Sequence, residues 1–313
     1  MKLAIPDLIS NSYLPAVAAI ELGFFKREGL DVTLDLIFPV DKAYAALAHG
    51  QVDLVGGSAH SALAAFPEWD GVKLLCAQGQ GMYWFLVMHA DLQAKRGDAG
   101  SVKGRSIGAA PWVDMGLRGL LEASGIDLVR DDVRIAPVPG AAGAGVNFGV
   151  TAANALEQRK IDGFWANGMG AEVAVRRGVG AVVFDVRRGD GPAACFHFTM
   201  ASLAAADRLI AHSPEAAAAA VRAIVNTHAA LKADPGRATE VGRKLFPPAE
   251  AELIAELTRR DLPFYDASIS QDSVAGMNRF ARASGILKTD PAYDRIVATQ
   301  FRGLWEMADV DAN

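Results

Sequence analysis

The chain is poor in everything that marks a cross-linked, membrane-spanning or nucleic-acid-binding protein. Its 313 residues include two cysteines, Cys76 and Cys195. Two thiols make no disulfide framework, and both lie among apolar neighbours, so they read as buried and inert. No apolar run reaches the roughly 18 residues of a membrane span. Basic residues do not outnumber acidic ones: 31 Lys and Arg stand against 36 Asp and Glu, a formal net charge of −5. A phosphate binder needs a basic face, so nucleic acid is not an expected partner. Six histidines are scattered without ligand spacing, which predicts neither a metal site nor a cofactor. Around the first apolar segment, Leu3-Ala4-Ile5-Pro6, there is no apolar h-region and no cleavage site.

What is present describes a globular chain, 51% hydrophobic and 21% charged, long enough for two domains. The most informative stretch is 46–65, ALAHGQVDLVGGSAHSALAA. It reads as a helix end, a turn, a short buried strand at 52–55, and a loop Gly56-Gly57-Ser58-Ala59-His60 opening another helix. Small residues at the carboxyl end of a strand, just before a helix, are where α/β sheets bind ligands. The pattern is echoed at Ala155-Leu156-Glu157-Gln158-Arg159-Lys160-Ile161-Asp162, which continues Gly163-Phe164-Trp165-Ala166-Asn167. Two related units suggest two lobes, each offering one wall of a site.

Around these units strands alternate with helices. Strands are predicted at 3–5, 31–38, 52–55, 72–77, 84–88, 105–109, 133–138, 161–165, 181–186 and 194–200. Helices are predicted at 14–27, 42–49, 111–123, 150–158 and 171–177, with a loose Gly/Ala loop at 139–145. Repeated strand–helix–strand units imply parallel pairing with right-handed crossovers. From Ser202 the character changes to alanine-rich segments of helical period at 203–211, 214–231, 237–245, 249–260 and 270–283. This tail is expected to pack on the first lobe as scaffold.

Four segments, in order, carry a resemblance: IPDLISNSYLPAVAAIELGFFKREGLDVTL, the AxxALAHGQVDLVGG unit, SVKGRSIGAAPWVDMGLRGLLEASGI and ALEQRKIDGFWANGMGAEVAVRRG. Together they resemble the type 2 periplasmic binding proteins of the nitrate, sulfonate and taurine class, which share their fold with thiamine-pyrimidine synthases. The resemblance spans nearly the whole chain. It implies an α/β, two-lobed clamshell fold with a helical C-terminal segment, closing over a small molecule. Lobe one would comprise 1–84 and 199–313, lobe two 85–198, with crossings near 81–85 and 196–201. It also implies a small-molecule ligand, an ABC permease and ATPase as partners, and a monomeric chain. Such a protein is periplasmic if a leader precedes this sequence, whereas a native start at Met1 implies the cytoplasm.

The resemblance assigns the ligand loops. Asn11, Ser12 and Tyr13 match the family's first loop, although Asn11 and Ser12 also suit a helix cap. Ser58 and His60 match the second, and Gln80 and Tyr83 fall beside the hinge. In lobe two the family loop that carries small hydroxyl residues reads Trp112, Val113 and Asp114 here. An acid at Asp114, itself a possible helix cap, opposes an anionic ligand. Trp112 and Trp165, with Phe196 and Trp84, offer aromatic walls, while Asn167 and Glu172 are further polar candidates. The expected solute therefore has a flat apolar part, with a polar or cationic group near Asp114 or His60.

The leading functional expectation is a solute receptor of an ABC importer, with no catalytic residue. The alternative is a leaderless enzyme on the same fold, resembling thiamine-pyrimidine synthases or desulfinases. The residues that carry those chemistries are missing: no lysine precedes His60 in Gly56-Gly57-Ser58-Ala59, and the first loop has no cysteine. Cys195 and His197, two apart on the predicted strand, are not read as a nucleophile–base pair. A sensory ligand-binding module is a third reading.

Overall fold

The computed structural model describes residues 1–141 and 147–306, so the predicted loop at 139–145 lies partly outside the described residues. In chain order the strands are β1 (Lys2–Ile5), β2 (Thr33–Leu36), β3 (Leu54–Ser58), β4 (Val72–Gly79) and β5 (Phe85–His89). They continue as β6 (Ser106–Ala109), β7 (Arg134–Ala136), β8 (Gly163–Ala166), β9 (Gly180–Asp185) and β10 (Ala201–Ala206). One sheet has the order β2-β1-β3-β10-β4 and the other β7-β6-β8-β5-β9. The chain leaves the first sheet after Gly79 and returns at Ala201. The echoed segments end in β3 and β8, which hold the same third place in their sheets.

The expectation of parallel pairing needs correction. β1 pairs in parallel with β2 and β3, and β6 with β7 and β8. In contrast, β10 runs antiparallel to β3 and β4, and β5 antiparallel to β8 and β9. The two reversed strands are the first after each crossing. Each enters its sheet from the direction of the other one, which reverses it relative to its neighbours.

The strand predicted at 194–200 is instead a short 3₁₀ turn, Ala193–His197. The strand comes later, as Ala-Ser-Leu-Ala-Ala-Ala, and displaces the first half of the helix predicted at 203–211; that helix is Asp207–His212. Alanine favours helices intrinsically, but every residue of β10 is buried between two strands, and tertiary packing overrides the propensity. β3 itself runs to Ser58, so Gly56 and Gly57 are strand rather than loop, paired with Leu203 and Ser202. A Cβ on Gly57 would lie 3.1 Å from Val40 Cγ2, and one on Gly56 3.1 Å from Ile5 Cγ2. The glycines admit close packing on both faces of the sheet.

The helix predicted at 14–27 breaks at Gly23 into Leu14–Glu21 and Phe24–Arg27. The one predicted at 111–123 starts later, at Asp114, because Trp112 has φ +69°. In the tail, helix Pro214–Ala233 packs on Leu14–Glu21 and Phe24–Arg27, tied by Arg222 to Glu28 at 2.6 Å. The tail is more than scaffold for one half of the molecule. Helix Pro248–Asp261 reaches the helix that follows β8, Gly168–Arg176, through Arg260–Glu172 at 3.0 Å and Arg176–Glu256 at 2.5 Å. Glu172 is thus an ion-pair partner. Among the described residues, no helix is long and apolar enough to cross a membrane.

Candidate functional site

The carboxyl ends of β1 and β2 and those of β6 and β7 open onto a common cavity of about 750 Å³. Pro6-Asp7-Leu8-Ile9 follow β1 and Ile37-Phe38-Pro39 follow β2, while Pro111 and Pro137-Val138 come from the other sheet. The first turn of helix Phe148–Glu157 and its cap Asn147 complete that side. An inner chamber of about 30 Å³ shares Pro6, Asp7, Phe38 and Phe148 with it and continues to Tyr13, Trp84, Val113 and Asn167. The larger volume suits a small organic molecule.

Apart from Asp7 and Asn147, the cavity is lined by aliphatic residues, prolines and phenylalanines. Phe38 and Phe148 come from opposite sides and stack, with ring centroids 5.9 Å apart and planes 25° apart. Asp7 is buried; its Oδ1 accepts from the Asn147 amide, and its Oδ2 accepts from Asn167 Nδ2 at 2.8 Å. Both asparagines are helix caps. Asn147 Oδ1 accepts the Val150 N–H at 2.8 Å, and Asn167 Oδ1 accepts the Met169 and Gly170 N–H groups at 3.0 and 3.2 Å. Their oxygens are therefore occupied at the helix ends and their NH₂ groups are turned to Asp7. Desolvation outweighs these hydrogen bonds and raises the Asp7 carboxyl to about 8.

Of the residues singled out from sequence, Tyr13, Trp84, Val113 and Asn167 line the inner chamber. Asn11 and Ser12 are buried outside the cavity lining. The Asn11 amide donates to Asp261 at 2.6 Å, while Asn11 Oδ1 and the Ser12 hydroxyl have no partner among the described residues. Tyr83 shares a 2.9 Å hydrogen bond with the Tyr13 hydroxyl and packs on Trp84. The Ser58 hydroxyl bonds Ser61 at 2.6 Å. Gln80 is held away from the cavity, its amide donating to the Asp266 and Ser268 carbonyls at 2.9 and 2.6 Å. Trp165 is fully buried against Trp84, and its Nε1 has no partner among the described residues. Phe196 packs where a Gly81 Cβ would lie, beside the chain crossing. Trp112 and Asp114 face a separate shallow depression with Arg118, which pairs with Asp114 at 2.9 Å. The helix dipole and Arg118 account for an acid at Asp114, so it does not supply the polar group of the cavity.

His60, fully buried, joins the two sheets. Its Nε2 lies 3.1 Å from the Trp112 carbonyl and its Nδ1 2.9 Å from the Thr199 hydroxyl. A carbonyl only accepts, so Nε2 carries the hydrogen and Nδ1 accepts from Thr199. Burial pushes the imidazole down to about 4, which keeps it neutral. With both nitrogens engaged, His60 is a strut between the halves.

Sequence reasoning missed Asp7, Phe38, Asn147 and Phe148. Asp7 had a signal: an acid two residues beyond a buried strand, at the ligand-binding end of a sheet. Cys76 and Cys195 are buried outside the cavity lining, and burial raises the Cys195 thiol to about 11. Among the described residues no group of three His, Cys, Asp or Glu side chains is arranged for a metal ion.

The fold is that of the two-lobed binding proteins. The alkanesulfonate-binding protein SsuA from Xanthomonas axonopodis pv. citri, solved with MOPS, aligns with TM-score 0.72 and 12% identity over 96% of both chains. The periplasmic nitrate-binding protein NrtA from Synechocystis PCC 6803 aligns with TM-score 0.70 and 15% identity, over 97% of this chain and 86% of NrtA. The desulfurization enzyme DszB shares it too, with TM-score 0.63 and 15% identity over 96% and 97% of the two chains. No curated protein matches the chain. The sequence model of one family, described as NMT1/THI5 like, matches residues 10–238.

Proposed function

Since the chain belongs to the NMT1/THI5-like family, we propose that it is a solute-binding receptor that captures a flat, largely apolar organic molecule between two lobes. The lobes are residues 1–84 with 199–313, and 85–198, and closure narrows the space between them. The observation that carries this reading is the apolar cavity of about 750 Å³ between the strand ends of the two sheets. A ligand ring packs against the Phe38–Phe148 pair, which already stack on each other and present an aromatic surface to the cavity. Tyr13, Val113, Asn147 and Asn167 complete its surroundings, and His60 props the closed form. Small sulfonates and nitrate fit poorly, because no Lys or Arg lines the cavity among the described residues.

In this role the protein acts in the periplasm, as the nitrate-binding protein NrtA does, and hands its ligand to an ABC permease and ATPase. The enzyme reading finds little support in the cavity, whose described lining contains no Cys, His, Ser or Lys to act as nucleophile or base. Tryptophan fluorescence and native mass spectrometry against aromatic, heteroaromatic and alkylsulfonate panels test the proposal. Quenching by flat aromatic compounds with recovery of unaltered ligand is expected. A preference for small alkylsulfonates would sink the ligand class, and release of an altered product would move the protein to the enzyme reading.

A further inference from the structure

We propose that Asp7 sets the charge of the ligand, so that the cleft takes a flat solute bearing a cationic nitrogen group and excludes an anion of the same shape. This rests on the binding reading above and gives it a substrate class. Asp7 is the one ionisable side chain lining either chamber besides the Tyr13 phenol, among the described residues. Residues 142–146, outside the described residues, read Ala-Gly-Ala-Gly-Val and carry no ionisable side chain in the sequence. The groups that face the carboxyl are the Asn147 and Asn167 amides, the Ile9 and Gly149 backbone N–H groups and Tyr13. All are uncharged, so no partner cation offsets a carboxylate there.

The Asn caps hold that carboxyl in place. Because each Oδ1 is fixed on a helix N-terminus, neither amide can flip to present an acceptor, and both offer Asp7 only N–H donors, which suit its ionised form. Among the described residues the direct hydrogen bonds to the carboxyl come from the two amides, whereas the Ile9 and Gly149 N–H groups only face it; its oxygens, with about four acceptor positions in the ionised form, keep room for a further donor. A cationic nitrogen group entering beside Phe38 and Phe148 would find the counter-charge that the protein omits. An anion would find none and would add a like charge in an apolar space.

A proton accompanies this binding. The carboxyl, held near 8 when empty, is mostly protonated at neutral pH. A bound cation favours the ionised form, so binding below that value expels one proton. Affinity for a cation that does not itself titrate therefore rises about tenfold per pH unit from pH 6 to 7 and levels off above about 8.

Three planar probes of matched shape test the proposal: benzamidinium, benzamide and benzoate, titrated into the full chain by calorimetry at pH 6, 7 and 8.5. The expected result is at least tenfold tighter binding of benzamidinium than of benzoate, with the pH rise confined to benzamidinium. In Asp7→Asn the order collapses, with benzamidinium and benzamide binding alike. Should that variant fail to fold, the wild-type series decides by itself. Binding of all three without a charge preference, or with benzoate tightest, overturns the role of Asp7 and leaves the receptor reading standing. Failure of every probe, together with failure of the wider aromatic panel, overturns both.

Discussion

Replacing His60 by glutamine tests the strut between the two sheets, and the sharpest readout is pH dependence. At neutral pH the imidazole donates to the Trp112 carbonyl and accepts from Thr199. Each such bond contributes about 1 kcal/mol net, and a glutamine amide recovers part of this, so His60→Gln should cost about 1 kcal/mol. The imidazole's folded value is about 4, below its ordinary 6.5. The fold therefore favours the neutral form. The contribution of His60 is full above about pH 6.5, declines as pH falls towards 4, and is constant below that. Integrating the proton uptake gives a loss of about 2.5 kcal/mol by pH 4.5. The buried His228 is also pushed down to about 4, but it loses the same amount in both proteins and cancels in the difference. Urea unfolding followed by tryptophan fluorescence, from about pH 7.5 to 4.5, supplies the two stability curves. Wild type should lead by about 1 kcal/mol at the upper end and trail by about 1.5 at the lower. Curves that stay parallel to within about 0.5 kcal/mol across the range would refute the neutral, doubly bonded imidazole.

Asp7 has the opposite sign. Its folded value lies above the unfolded one, so its contribution is full below about pH 4 and is lost as pH rises towards 8. Relative to wild type, Asp7→Asn should gain stability over that window, by an amount on the order of several kcal/mol, read from the same unfolding series. Arg187→Met removes the buried partner of Asp261, which lies 3.3 Å away. Arg188 and Asn11 still hold that carboxylate at 2.7 and 2.6 Å, so the expected loss is about 3 kcal/mol, the lower end for a broken buried pair; a loss under about 1 would contradict it. Gly81→Ala meets a φ of +70° and the Phe196 ring, and should destabilise by about 2 kcal/mol or more on denaturant unfolding. Phe148→Ala should weaken aromatic ligands at least tenfold in a fluorescence titration, by removing one ring of the aromatic pair that the ligand packs against.

The sequence by itself determined the architecture, because a two-lobed α/β fold is written in local signals: apolar strands, capped helices and the repeat of one strand unit. The equivalence of β3 and β8 was legible for that reason. Tertiary structure decided what local propensity cannot reach. Ala201–Ala206 became a strand because two strands stood ready to bury it. His60 became a strut because Thr199 and the Trp112 carbonyl converge on it from distant parts of the chain. Asp114 gained Arg118 on its own helix, whereas Asp7 was left with two amides and no cation, and only packing separates those two outcomes. Charge in a sequence is a count. Whether a carboxyl is solvated, paired or buried depends on what the fold brings against it, and that burial turned an unremarked acid after the first strand into the polar centre of the cleft.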